Sequence, residues 1–308
     1  MTTRLGKWSL AAIPTGDFGL DGGAMFGVVP KVIWSQKHPA DDSNRIDMTM
    51  RALLITGEVD GEERVILVDT GAGGKLTPKL QSIYRIDQSR YDLLGSLAAE
   101  GYAPQQVTDV ILTHLHFDHC GGSTLFGNGN GEDVTDEEEE TEQTAGPPSV
   151  PTFPNAIYHV QQRQWEWANS PSPRDQASYF PENFIPIEKS GQLNLLEGEI
   201  ELFPDLHLLV VDGHTPGQQL PLIHTVRQTF LYCADLIPTT SHIHLPYVMA
   251  YDLEPLKTLT EKEQVLTQAA EEAWVLFFEH DASVECCRVL VGEKGFEPSD
   301  FMELADCS

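Results

Sequence analysis

Residues 113–122 read Thr-His-Leu-His-Phe-Asp-His-Cys-Gly-Gly, and this run constrains the chain more than any other stretch. Neutral imidazole is the commonest protein metal ligand, and carboxylate oxygen is its usual partner on zinc-like ions. In extended backbone, side chains two apart point to the same side, so His114, His116 and Asp118 can converge. His119 joins them only where the chain turns, and Cys120-Gly121-Gly122 supplies a turn. A continuous helix would put residues 114 and 116 on nearly opposite faces. The spacing therefore predicts a loop after a strand, and Val107–Thr113 has the β-branched content of that strand.

Three more residues of metal-binding type stand at the ends of apolar runs. His214 lies in Val-Val-Asp-Gly-His-Thr-Pro-Gly, where a strand breaks into a turn rich in glycine and proline. Asp235 ends Thr229–Ala234, and His280 ends Trp274–Glu279. A sheet holds loop residues rigidly at its edge, so each is a candidate ligand. Singly such a residue is usually part of a turn; with the first run, the three make a ligand set.

The chain has 308 residues and a formal net charge of −28, with 47 acidic against 19 basic residues. That balance excludes a nucleic-acid or anionic-membrane partner, because binding phosphates requires a basic stripe. No stretch approaches the roughly 18 apolar residues of a membrane span. Trp8–Ile13 is too short for a signal peptide, so a cytoplasmic location is expected. The five cysteines show no C-x-x-C spacing and read as reduced, mostly buried thiols.

The clearest discontinuity is Gly127–Pro148, a glycine- and acid-rich insertion within what reads as one domain spanning 1–308, with residues 1–44 as an N-terminal extension. Paired strands are expected at 45–56 and 64–69, joined by Gly57–Gly61. A helix is expected over Ser89–Glu100, capped by Ser89. Further strands fall near 156–160, 199–203, 206–212, 219–226, 229–234 and 274–279, with helices at 161–168 and 255–272. This mixture predicts an α/β sandwich of two sheets with helices outside.

These residues resemble the metallo-β-lactamase fold superfamily, whose motifs occur here in order. Asp69 in Leu-Val-Asp-Thr-Gly matches the first, a buried structural aspartate; His114, His116, Asp118 and His119 match the second; His214, Asp235 and His280 match the third to fifth. The resemblance covers roughly residues 47–285 and implies an αββα sandwich of two mixed sheets flanked by helices. Asp235 turns the reading away from β-lactam cleavage. The acidic surface disfavours the nuclease branch, and the roughly 28 residues after His280 disfavour glyoxalase II. The His-Leu-His-Phe-Asp-His core, the Asp235–His280 spacing and Gly22–Lys31 look most like acyl-homoserine lactonases and methyl parathion hydrolase. One lactonase group carries a tyrosine three residues after the bridging aspartate; here that position is Pro238.

The resemblance implies two metal sites, His114, His116 and His214 for one and Asp118, His119 and His280 for the other, with Asp235 bridging. Zinc is favoured, and manganese, iron or cobalt fit the same donors. The expected reaction is attack of a metal-bridging hydroxide on a lactone or related ester, with Asp118 relaying a proton to the leaving group. An organophosphate triester hydrolase, a glyoxalase II-like thioesterase and a mono-iron sulfur dioxygenase are the alternatives. The expected partner is a small molecule with a hydrophobic acyl or aryl group, and a homodimer is left open. Met25, Phe26, Phe117 and His242 are candidate substrate-lining residues, and Trp34, Tyr247, Met249 and Tyr251 are further candidates for the apolar wall.

Overall fold

The computed structural model describes residues 2–127 and 148–307. Residues 128–147 of the acidic insertion lie outside them.

The first sheet begins with β1 (Thr2–Leu5), β2 (Trp8–Asp21), β3 (Arg45–Val59), β4 (Glu62–Val68) and β5 (Asp109–Ile111). After a small ribbon of β6 (Thr124–Phe126) and β7 (Ser149–Pro151), it is completed by β8 (Ile157–Gln161) and β9 (Leu193–Leu196). Its strands lie in chain order, antiparallel up to β4 and parallel from β4 to β9. The second sheet also runs in chain order: β10 (Ile200–Phe203), β11 (Leu206–Val211), β12 (Gln218–His224), β13 (Thr229–Tyr232), β14 (Val275–Phe277), β15 (Cys286–Gly292) and β16 (Gly295–Met302). Only β13 and β14 pair in parallel there, and α8 (below) makes their crossover. The helices are α1 (Gly22–Phe26), α2 (Lys31–Trp34), α3 (Pro78–Tyr84), α4 (Leu93–Ala99), α5 (Phe117–Cys120), α6 (Gln162–Asn169), α7 (Ile185–Lys189) and α8 (Pro255–Glu271).

Strand alternation sets the layers. On β3 and β4, Leu53, Ile55, Ile66 and Val68 face the second sheet, where Leu208, Ile223, Phe230 and Tyr232 meet them. Their neighbours Ala52, Leu54, Val65 and Leu67 point the other way, onto Leu93 and Leu97 of α4 and Ile187 of α7. Both faces are apolar, which explains the unbroken hydrophobic run Val65–Val68. The result is the expected αββα sandwich.

Three local features differ from the sequence expectation. Residues 2–21 are two strands of the first sheet rather than part of an appended extension: β2 pairs with β3 from Ser9–Thr56 to Asp21–Arg45. The β3–β4 turn is Asp60-Gly61, and the strand runs straight through Gly57, because a side chain there would collide with Trp8. Helix α4 starts at Leu93, since Asp92 Oδ1 accepts from Gly95 N at 2.8 Å while Ser89 Oγ donates to Asp87.

Five strands of the two sheets end toward one edge of the sandwich. Asp69 follows β4, His114 follows β5, His214 follows β11, Asp235 follows β13 and His280 follows β14. That edge is where the predicted ligands gather.

Candidate metal centre

Asp69 turns in the left-handed region at φ +57°, which aspartate tolerates better than most residues. Its Oδ1 accepts from Thr113 N at 2.7 Å, and its Oδ2 accepts from Thr113 Oγ1 at 2.6 Å and His119 Nδ1 at 3.1 Å. Asp69 thereby ties the end of β4 to the whole histidine run. The run leaves β5, stays extended through His116 and enters α5 at Phe117, so the turn that brings in His119 is helical. Gly121 and Gly122 allow backbone contact with residues 70–72, since a side-chain carbon would sit 2.1 Å from Ala72 O or 2.3 Å from Thr70 O. Ala234 is held at φ +42°, a strained conformation for alanine, directly before Asp235.

Every candidate histidine but one has its outward nitrogen engaged. His114 Nδ1 lies 3.1 Å from Thr113 Oγ1, whose proton goes to Asp69. His280 Nδ1 donates to Thr49 O at 3.0 Å, His119 Nδ1 to Asp69, and His214 Nδ1 to Asp252 Oδ1 at 2.9 Å. A carbonyl or carboxylate only accepts, so these bonds put the proton on Nδ1 and leave the Nε2 lone pair free. His116 turns its Nδ1 inward instead, and its Nε2 is buried without a partner.

The free nitrogens converge. His116 Nδ1 is 3.0 Å from His114 Nε2 and 3.2 Å from His214 Nε2, and His119 Nε2 is 3.1 Å from His280 Nε2. Facing lone pairs do not bond one another at that separation. It approaches the edge of about 3.3 Å that tetrahedral ligands with 2.0–2.1 Å metal–nitrogen bonds would show. His114, His116, His214 and Asp235 form one cluster with donor atoms within 4.8 Å of one another, and Asp118, His119 and His280 form a second.

Asp235 touches both. Its Oδ2 is 3.1 Å from His214 Nε2, and its Oδ1 is 3.1 Å from His280 Nε2 and 3.5 Å from His119 Nε2. Asp118 Oδ2 stands farther off, at 3.8 Å from His119 Nε2 and 3.9 Å from His280 Nε2.

Four buried carboxylates, Asp69, Asp118, Asp235 and Glu279, meet here, and among the described residues no lysine or arginine pairs with any of them. Burial raises the Asp235 carboxyl, but His119, His214 and His280 outweigh it and hold it well below the carboxylate range. Burial together with neighbouring imidazoles holds His114 and His116 well below their usual value. At His280 burial is overcome by Asp235, which lifts the imidazole to about 9, and at His119 by Glu279 and Asp235. The pocket's anionic field thus calls for positive charge, and the donor set fits divalent ions.

Glu279 gave no sequence signal. It is fully buried 3.0 Å from His119 Nδ1, and burial pushes it up to about 7. Asp252 and Thr49 also escaped notice, because each meets its histidine only through the fold.

A cavity of about 360 Å³ opens over the cluster. His116, Asp118, His214, Asp235 and His280 form its floor; Leu20, Met25, Met48, Phe117 and Met249 form an apolar wall; Arg174, Asp175 and Ser178 add polar groups, with the Arg174 guanidinium donating to Ala250 O. Met25 and Phe117 thus border the cavity, as do Met249 and Tyr251. Phe26 and His242 do not. They stack on each other at 4.9 Å behind the wall, and His242 lies between Met25 O and Thr239 Oγ1. Trp34 and Tyr247 pack around the same Phe26 ring. Those aromatic rings support Met25 from behind, a role that composition alone does not separate from lining.

The sequence profile described as "Metallo-beta-lactamase superfamily" matches residues 52–280. An N-acyl homoserine lactonase of Bacillus cereus is 26% identical over 247 residues, covering 74% of this chain and 80% of that protein. AiiA, an N-acyl homoserine lactonase of Bacillus thuringiensis subsp. kurstaki, is 27% identical over 251 residues, covering 75% and 82%. The crystal structure of a probable metal-dependent hydrolase from Staphylococcus aureus superposes with a TM-score of 0.82 at 26% identity, over 97% of this chain and 98% of that one. AidC, a dizinc quorum-quenching lactonase, superposes with a TM-score of 0.74 over 98% of each chain; at 20% identity this likeness concerns the fold alone.

Proposed function

Because this chain belongs to the metallo-beta-lactamase superfamily, we propose that it is a dinuclear metal-dependent hydrolase of lactones, of the acyl-homoserine-lactone type, or of related esters. The observation that carries the reading is Asp235, which offers one oxygen to each histidine cluster at 3.1 Å. A residue serving one ion would have no reason to face both.

Two divalent ions, with zinc the first choice for these donors, would lower the pKa of a shared water to about 7 and polarise the scissile carbonyl. His114, His116 and His214 would hold one ion, Asp118, His119 and His280 the other, and Asp235 both. Asp69, Asp252 and Thr49 O hold the imidazoles in the required tautomer. Asp118 borders the cavity and would move a proton toward the leaving oxygen. The wall of Leu20, Met25, Met48, Phe117 and Met249 excludes water and suits an acyl chain. The lactonases among the relatives support the substrate class.

The test joins metal analysis to a panel of acyl lactone, aryl ester, phosphotriester, phosphodiester and thioester substrates. Two metal equivalents with acyl-lactone hydrolysis are expected, and Asp235→Ala should bind fewer than two. Turnover of the phosphotriester alone would replace the lactonase reading. One equivalent of iron with oxygen consumption would remove the dinuclear one.

A further inference from the structure

The cavity wall carries two phenols with no assigned task. Tyr84 is the last residue of α3, and Tyr251 lies on the segment between Met249 and Asp252; both line the cavity together with Asp118. Each is firmly placed. The Tyr84 ring stacks on Phe117 with centroids 4.5 Å apart and planes at 25°. Tyr251 is flanked by two anchors, Ala250 N donating to Ala24 O at 2.8 Å and Asp252 accepting from His214.

Tyr84 is half-buried and Tyr251 more open, whereas the buried phenols are committed within the protein. Tyr158 donates to Ser123 O, Tyr232 to Arg51 O, and Tyr179 pairs with Thr215 Oγ1. Among the described residues, neither the Tyr84 nor the Tyr251 hydroxyl has a hydrogen-bond partner. Burial raises both phenols, helped by Asp118 at Tyr84 and by Asp21 and then Asp118 at Tyr251, so both keep their protons at neutral pH. Tyr84, Tyr251 and Asp118 line one cavity, and the two phenols are close enough to interact electrostatically. Ser178 enters from elsewhere, next to Tyr179, whose ring packs on His116. Phe117 and Met249 bring apolar surface to this lining, while the Arg174 guanidinium is engaged with Ala250 O next to Tyr251, so the two phenols supply neutral donors free for a ligand.

We propose that Tyr84 and Tyr251 form a two-hydroxyl clamp on an acceptor oxygen carried next to the scissile bond, selecting lactones with an N-acyl amide over lactones bearing only an alkyl chain. The clamp rests on the lactone reading above. An amide on the carbon beside the lactone carbonyl projects its oxygen to one side of the metal cluster, while its acyl chain continues along Met25 and Met249. An alkyl lactone leaves both hydroxyls without a partner. Each neutral hydrogen bond corresponds to a factor of about three to ten in kcat/KM.

The experiment compares N-hexanoyl homoserine lactone with an alkyl γ-lactone of matching chain length, using the zinc-loaded wild type, Tyr84→Phe, Tyr251→Phe and the double variant. The wild type should favour the acylated lactone, and the double variant should lose at least about ten-fold of that ratio. In parallel, calorimetry compares ring-opened N-hexanoyl homoserine with hexanoate, and the double variant should lose the same preference. A ratio unchanged in both readouts, at wild-type metal content, overturns the clamp. Should Tyr84→Phe fail to fold, Tyr251→Phe alone decides, and an unchanged ratio again overturns the proposal. Failure of the wild type to hydrolyse either lactone sinks the lactone reading, and the calorimetric preference then judges the clamp by itself.

Discussion

Asp252 Oδ1 stands 2.9 Å from His214 Nδ1, while its Oδ2 accepts from Met249 N at 3.2 Å. One carboxylate thus orients a candidate ligand and fixes the cavity wall. Asp252→Asn keeps the shape but places an N–H donor or a weaker acceptor against His214. Metal affinity should fall by about 10- to 100-fold, read by competition with a chromophoric chelator. Unchanged affinity would show that His214 needs no such support.

The N-terminal segment reaches the cavity through a backbone contact that only glycine permits. Gly27 sits at φ +54°, and a Cβ there would lie 2.4 Å from Val248 O. Gly27→Ala should push α1 away from residues 248–250, raising KM for a hydrophobic substrate and leaving kcat comparatively little changed. Gly61→Ala is the control, because Gly61 has φ +83° but open space around it. Gly27→Ala should lose more in urea unfolding than the about 1–2 kcal/mol of backbone strain expected for Gly61→Ala, because it adds the collision with Val248 O. A KM effect should appear only in the first, and equal KM values would detach α1 from substrate binding.

What was legible in the sequence followed from short-range spacing. The run 114–119 carries its own geometry, and His214, Asp235 and His280 each close a visibly apolar strand. The residues that orient them were not legible, since Thr49 lies 231 positions from His280 and Asp252 lies 38 from His214. β2 was hidden for a different reason. Its apolar positions Trp8, Leu10 and Ile13 lose their alternation, and the register with β3 shifts between Pro14 and Gly16. Phe26 and His242 have the composition of cavity residues, and only their mutual stacking shows that they lie behind the wall.

Lys262 of α8 is buried and donates to His244 O, Leu245 O and Tyr247 O at 3.2, 3.5 and 2.7 Å. Burial pushes its ammonium down to about 7, with Asp252 opposing. An unfolded lysine titrates near about 10.4, so the folded state binds fewer protons between the two values. The cost of burying the charge is therefore fully present below about pH 7, fades as pH rises, and is gone above about 10.4. Wild type should gain stability relative to Lys262→Met between pH 7 and pH 10 at fixed metal loading. Parallel unfolding curves across that range would place the proton elsewhere.

Asp118 differs from Asp235 in ways that matter for proton transfer. Asp235 lies within 3.1–3.5 Å of three candidate ligand nitrogens, whereas Asp118 Oδ2 stands 3.8 Å from His119 Nε2, and its carboxylate borders the cavity. A carboxylate that both leans on an ion and faces substrate can carry a proton to the departing oxygen. Asp118→Asn keeps an oxygen for the ion but cannot carry that proton. With an alkoxide leaving group, kcat should drop by about 10²–10⁴-fold at two bound metals. An aryl ester, whose leaving oxygen needs no proton, should be affected far less. The split between the two substrates is the diagnostic, because loss of a ligand would slow both. Full turnover of the lactone by a two-metal Asp118→Asn enzyme would remove Asp118 from the proton path.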